Sequence, residues 1–104
     1  MYNVYVIELD KAVMEMARFR NANPDYNPEK PCVYVGQTAK TPEERFRQHC
    51  EGQRANRYVK EYGKRLRLKL FERFNPIQTR SEAEKKEKQL AEKLRKKGYG
   101  VWWN

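Results

Sequence analysis

The sequence predicts an α/β fold of the α+β kind: a small, three-stranded, mainly antiparallel sheet flanked by helices. Three observations carry this reading. The chain has 104 residues, which is the size of one domain. Residues 2–9 and 32–35 are dense in β-branched and aromatic side chains, and residues 65–71 alternate polar with apolar, so all three read as strands. Capping signals at Thr41 and Ser81 open helices between and after them.

Taken in chain order, the first strand is Tyr2-Asn3-Val4-Tyr5-Val6-Ile7-Glu8-Leu9. Residues 11–20 can form a short helix on Val13, Met14, Met16, Ala17 and Phe19, and the following stretch holds Pro24, Pro28 and Pro31 in a turn-rich loop. Residues 10–31 therefore look like an insertion looping out of a hairpin, replaceable by a short turn. The second strand, Cys32-Val33-Tyr34-Val35, ends at Gly36. Thr41 is a good N-cap, Pro42 fits the first helical position and Glu44 completes a capping box, so a helix runs from Pro42 to near Gly52. A second helix over 55–62 stops at Gly63. Period-2 alternation then places Leu66, Leu68 and Leu70 on one buried face of the third strand and basic residues on the other. Ser81 and Glu84 frame a last helix that reaches about Lys97, and the tail Tyr99-Gly100-Val101-Trp102-Trp103-Asn104 is too aromatic to be left in solvent.

Composition narrows the function. Lys and Arg number 23 against 14 Asp and Glu, a net charge of +9, and charged residues make up 36% of the chain where about 25% is usual. No stretch approaches the roughly 18 apolar residues of a membrane span, and Glu8 and Asp10 interrupt the one apolar run near the start before it resembles a secretory signal. With 7 Tyr, 4 Phe and 2 Trp the chain has the bulky core material that disordered sequences lack. The expectation is a soluble cytoplasmic protein, reaching nucleoid or nucleus if DNA is its substrate, with no membrane partner. Cys32 and Cys50 form no CxxC and have one histidine for company, so neither zinc nor a disulfide is favoured. A basic domain attracts polyanions, which makes nucleic acid the leading partner.

One glutamate in the last helix is out of place. Glu82, Glu84 and Glu92 each have a lysine four residues on, at Lys86, Lys88 and Lys96, whereas Glu87 has Ala83, Leu90, Ala91 and Leu94 as its helical neighbours. A carboxylate in line with a core-facing stripe either leans out to water or is held by a metal, a cation or a catalytic role.

At Tyr5, Tyr34-Val35-Gly36-Gln37-Thr38, Arg45, His49 and Glu87 the accumulated pattern resembles the GIY-YIG nuclease domain over essentially the whole chain. Asn3 stands where that family usually has glycine, and the two tyrosines are spaced far more widely than is common there, which is why residues 10–31 look inserted. The resemblance implies a metal-dependent endonuclease that nicks DNA or cuts unusual DNA structures. It implies catalytic roles for Tyr5, Tyr34, Arg45, His49, Glu87 and the late asparagine, here Asn104. Glu87 would hold a single Mg²⁺ or Mn²⁺, a hard cation suited to one carboxylate plus waters and phosphate oxygens. The phenols would orient the attacking water, since an unperturbed phenol, with a pKa of about 10, is a poor base at neutral pH. Arg45 would clamp the phosphoryl oxygens, and His49, one turn along the same helix, would relay a proton or anchor a phosphate. Backbone contacts would come from Arg54, Arg57, Lys60, Arg65, Arg67 and Lys69 and the lysine-rich last helix. With no appended reading domain, a partner protein supplying specificity is compatible with this reading. Two alternatives stay open: an inactive nucleic-acid-binding module of the same fold, which would bind DNA without Mg²⁺-dependent nicking, and a protein-interaction adaptor using Met14, Met16 and Phe19, which would not bind DNA.

Overall fold

The computed structural model describes residues 1–104. Its order is β1 (Asn3–Leu9), a 3₁₀ turn (Lys11–Glu15), α1 (Ala17–Ala22), β2 (Cys32–Thr38), α2 (Pro42–Cys50), α3 (Arg57–Tyr62), β3 (Gly63–Leu66), two 3₁₀ turns (Leu68–Leu70 and Glu72–Phe74), α4 (Arg80–Lys96) and β4 (Gly100–Trp103). The sheet has four strands, not three, in the order β3-β1-β2-β4. β1 is antiparallel to β2 and β3, while β4 lies parallel to β2, with Tyr34 opposite Trp102 and Val35 opposite Trp103. The aromatic tail thus escapes solvent by becoming an edge strand.

Runs of consecutive buried residues in β1 and β2 show that both sheet faces are covered. Val4, Val6, Val33 and Val35 are all fully buried and alternate with Tyr5, Ile7, Cys32 and Tyr34 on the other face. α4 packs across β4, β2 and β1 and buries Ala83, Glu87, Leu90, Ala91 and Leu94.

The third strand is shorter than its alternation suggests. After Leu66 the chain leaves the sheet, and Leu68 is 44% exposed. The reason lies on β1, whose outer edge is shared among three separate pieces of chain. The Arg67 N–H donates to the Val6 carbonyl at 2.9 Å, the Asn75 side chain bonds both backbone groups of Val4 at 2.9 and 2.8 Å, and Ile77 pairs with Tyr2 in both directions at 2.7 Å. No slot remains for a longer β3.

Cap chemistry holds at Thr41, whose hydroxyl oxygen accepts from the Glu44 N–H at 3.1 Å. α4, however, is capped by Thr79 rather than Ser81: Thr79 Oγ1 accepts from the Glu82 N–H at 3.1 Å. Thr79-Arg80-Ser81-Glu82 has the capping-box spacing as well, and this earlier box gains the additional helical residues. α3 begins at Arg57, capped by Asn56. None of the three forward Glu–Lys pairs forms an ion pair; Glu84 instead pairs with Arg80 at 3.0 Å, and Lys86 lies 4.5 Å from the Phe74 ring centroid.

The region between β1 and β2, read from the sequence as an insertion, contributes side chains to the core. Val13 and Phe19 are fully buried, and Phe19 packs edge-on to Tyr58 at 5.4 Å and stacks with Trp102 at 6.4 Å between centroids. Buried Asn23 uses its whole amide: Oδ1 accepts from the Val101 N–H and Arg95 Nε, and Nδ2 donates to the Phe19 and Val101 carbonyls. This segment seats β4 on the sheet. Phe19→Ala is expected to cost about 3–5 kcal/mol, as large-to-small changes in a packed core do, and replacing 10–31 by a turn is expected to abolish the cooperative thermal transition. A deletion variant melting like the parent would refute this.

Candidate active site

The site is assembled where β1 and β2 pair beneath α2. Tyr5 lies opposite Gly36 in the ladder and Ile7 opposite Tyr34, which makes the two tyrosines diagonal neighbours on one face. Their ring centroids are 6.2 Å apart. Gly36 is required by this pairing, because a Cβ there would lie 2.5 Å from Cζ of the Tyr5 ring. The glycine of Tyr34-Val35-Gly36 is thus the floor on which the Tyr5 phenol rests.

α2 delivers Arg45 and His49 from above, one turn apart on its inner face. His49 is 1% exposed, and its Nε2 lies 3.0 Å from the Tyr5 hydroxyl oxygen. Its other nitrogen, Nδ1, accepts from the Asn56 backbone N–H at 3.2 Å. Burial first, and the positive charge of Arg45 second, pull the imidazole pKa down to about 4, so the ring is neutral at physiological pH. Asn104 Nδ2 donates to the Tyr34 hydroxyl oxygen at 3.0 Å, tying the end of the chain into the site.

Both phenols stay protonated at neutral pH. Burial drives the Tyr5 pKa far upward, Tyr34 and Glu87 add to the rise, and Arg45 opposes it. Burial and Glu87 push Tyr34 up to about 12, against the lowering influence of Arg45 and of the hydrogen bonds from Tyr5 and Asn104. Tyr34 is therefore the more acidic of the pair.

Arg45 is braced from behind. Its Nη1 donates to the Gln48 side chain at 3.4 Å and the Gln53 carbonyl at 3.2 Å, and its Nη2 to the Arg54 carbonyl at 2.8 Å. Arg54 itself adopts φ 48°, a left-handed conformation uncommon outside glycine, and this turn carries the two carbonyls that Arg45 needs. Of the five N–H groups of a guanidinium, Nε–H and one Nη2–H lie outside these three bonds, and Arg45 also acts on the Tyr5 phenol as a hydrogen-bonding neighbour. Arg45 also walls a cleft of about 610 Å³ whose lining includes Gln37, Lys40, Arg54 and Arg80 and no acidic residue. The Gln37 Oε1, shielded from solvent, has no hydrogen-bond partner.

Glu87 is 8% exposed, so it does not lean out to water, and it enters no ion pair. Burial, then Glu84, raises its carboxyl to about 7. No group of three or more His, Cys, Asp or Glu converges anywhere in the chain. A lone, half-ionised, unpaired carboxylate fits a hard divalent cation that takes one protein ligand and fills its shell with water and phosphate oxygens. It does not fit a two-carboxylate clamp.

The structure thus brings Tyr5, Tyr34, Arg45, His49 and Asn104 together, and the charge of Glu87 acts on both phenols. The basic candidates divide. Arg54 borders the cleft with Arg45, and Arg57, Lys60 and Lys69 are exposed. Arg65 and Arg67 are committed to Glu8, at 3.0 and 2.9 Å. Lys40 and Arg80 in the cleft, and Asn56 behind His49, have no signal in their local sequence that marks them, whereas Gln37 lies within the Tyr34–Thr38 motif.

Fold and site together define a small α/β catalytic domain with a basic cleft beside its reactive groups. The chain belongs to the GIY-YIG family: the family model described as the GIY-YIG catalytic domain matches residues 1–100. That family consists generally of endonucleases, so the class to which the chain points is a nuclease acting on nucleic acid. No curated protein and no solved structure gives a match. No helix is long and apolar enough to cross a membrane.

Proposed function

We propose that the protein is a divalent-metal-dependent endonuclease that hydrolyses phosphodiester bonds in DNA. The observation that carries this is Glu87, a carboxylate held in the core without a cationic partner, whose charge acts on two phenols beside a braced arginine. Glu87 would hold Mg²⁺ or Mn²⁺, and when bound that ion supplies Lewis-acid stabilisation of the phosphoryl oxygens. Arg45, through the N–H groups outside its bracing bonds, would face the oxygens on which negative charge grows, and its three bonds to Gln48, Gln53 and Arg54 mean that little reorganisation accompanies the reaction. The Tyr34 phenolic oxygen accepts a hydrogen bond from Asn104, and the Tyr5 hydroxyl is hydrogen-bonded to His49 Nε2. The bond from Asn104 stabilises developing phenolate character on Tyr34 and leaves the Tyr34 O–H to orient the attacking water.

The acid-free cleft beside Arg45 suits the flanking backbone, with Lys40, Arg54 and Arg80 as phosphate contacts that position a strand without reading its sequence. Arg65 and Arg67 contribute less than their charge suggests, since Glu8 holds them. The adaptor reading loses Phe19, which is fully buried, while Met14 and Met16 are partly buried against the core.

The test is incubation with supercoiled plasmid in Mg²⁺, in Mn²⁺ and in EDTA, beside affinity measured across a salt series. Nicked circles are expected with either metal and none in EDTA. Log affinity is expected to fall with log salt by about 0.9 per phosphate neutralised. DNA binding without nicking in any metal would leave the inactive binding module; nicking unaffected by EDTA would remove the metal from the mechanism.

A further inference from the structure

His49 contacts Tyr5 through one ring nitrogen and the start of α3 through the other, and those two contacts together determine where its proton sits. A backbone N–H can only donate, so Nδ1, 3.2 Å from the Asn56 nitrogen, accepts and carries no hydrogen. A neutral imidazole has a single N–H, which must then be on Nε2. Nε2 is the atom 3.0 Å from the Tyr5 hydroxyl oxygen. We propose that Asn56 is a positioning residue: its backbone N–H fixes His49 as the Nε2–H tautomer, a hydrogen-bond donor to the Tyr5 oxygen and not an acceptor of the Tyr5 proton.

The local sequence explains why this N–H is available. Asn56 caps α3, its Oδ1 accepting from the N–H groups of Tyr58 at 2.9 Å and Val59 at 3.4 Å. An N-cap's own N–H has no partner inside the helix, and here it points at His49. The cap is anchored by the core, since Tyr58 and Val59 are buried and Tyr58 packs on Phe19 and Trp102. The ring is faced by Tyr5 from β1, Tyr34 from β2, Asn56 from α3 and Arg45 on its own helix; Glu87 on α4 acts on the phenols. Adding a second proton would set an Nδ1–H against the Asn56 N–H, in a buried place already beside a guanidinium.

Its consequence for catalysis rests on the nuclease reading, whereas the tautomer does not. With His49 donating, the Tyr5 O–H hydrogen points away from the imidazole, leaving it for the Tyr34 hydroxyl beside it, and the histidine takes no proton from the phenol. His49 then acts by holding the Tyr5 oxygen, which relieves it of any relay role.

The chain contains a single histidine, so long-range proton–nitrogen correlation spectra of the full-length, ¹⁵N-histidine-labelled protein report this ring alone. The expected result is a pyridine-like Nδ1 and a protonated Nε2 from pH 5 to 8. Two variants separate the backbone N–H from the cap. Asn56→Ala loses the side-chain cap and keeps the N–H, so the tautomer is expected to persist. Asn56→Pro removes the N–H at φ −66°, which proline tolerates. It is expected to give mixed tautomers and to move the ring's titration midpoint up from about 4 toward an ordinary value of about 6.5. If Asn56→Pro does not fold, the parent and Asn56→Ala spectra still decide. A protonated Nδ1 in the parent overturns the proposal, as does a folded Asn56→Pro with parental tautomer and midpoint. Absence of nicking activity would sink the nuclease reading and leave these spectra unchanged.

Discussion

Glu87→Gln is expected to abolish metal-dependent cleavage while making the metal-free fold more stable at neutral pH. Glutamine keeps the size and polarity of the side chain and removes the charge that binds a hard cation. The stability change follows from the carboxyl's rise from 4.5 to about 7 on burial. Between those values the folded chain binds more protons than the unfolded one, so wild-type stability falls as pH rises, and the penalty is complete above about 7. At pH 8 the variant should gain on the order of 3 kcal/mol, roughly 15 °C in Tm; near pH 4 the difference should vanish. His49 works in the opposite sense. Its pKa falls from 6.5 to about 4, so stability rises with pH through that window, but equally in both proteins, and it cancels in the difference. Glu84 is unsuitable as a control because it pairs with Arg80 and raises the Glu87 carboxyl; exposed Glu92 serves instead. Nicking rates in Mg²⁺ and melting at pH 4 and 8 in EDTA check both halves. A Glu87→Gln protein that cuts as fast as Glu92→Gln dismisses the metal-ligand role, and a Tm difference independent of pH dismisses the buried charge.

Arg45→Ala is expected to lower the cleavage rate by about 10²–10³-fold, the usual cost of losing one donor to the transition state, with Mg²⁺ affinity unchanged. The side chain also ties the Gln53 and Arg54 carbonyls together, so some of the loss could come from a loosened cleft. Arg45→Lys separates these effects. It restores the charge but not the planar fork that reaches both carbonyls and a phosphate at once, and is expected to recover DNA affinity without recovering the rate. Single-turnover nicking at saturating protein, beside affinity at fixed salt, gives both numbers. A rate for Arg45→Ala within threefold of the parent would take Arg45 out of the chemistry.

Features legible in the sequence are those encoded within a few residues. β1 and β2 follow from dense β-branched and aromatic runs, the start of α2 from Thr41, Pro42 and Glu44, and the alignment of Glu87 with a core-facing stripe from its place among Ala83, Leu90, Ala91 and Leu94, although the sequence alone leaves open whether it leans out to water. The family pattern is likewise a matter of residue type in chain order, and residues 1–100 bear it out.

Everything that depends on a distant partner was decided by the tertiary structure. β4 is an edge strand because β2 had a free side to offer it, and β3 is short because Asn75 and Ile77 occupy the edge of β1 that a longer strand would have used. Arg65 and Arg67 look free in a basic, alternating segment, yet Glu8 lies across the sheet from them. The stretch between β1 and β2 has the prolines of a dispensable loop, but Phe19 and Asn23 are core because Trp102 and Val101 return to meet them. Residue identity and short-range periodicity determined which groups could do chemistry here. Which of them are buried, paired or left unsatisfied, and hence which have shifted protonation, was determined by contacts between residues far apart in the chain, because desolvation and pairing are properties of the packed neighbourhood and not of the local sequence.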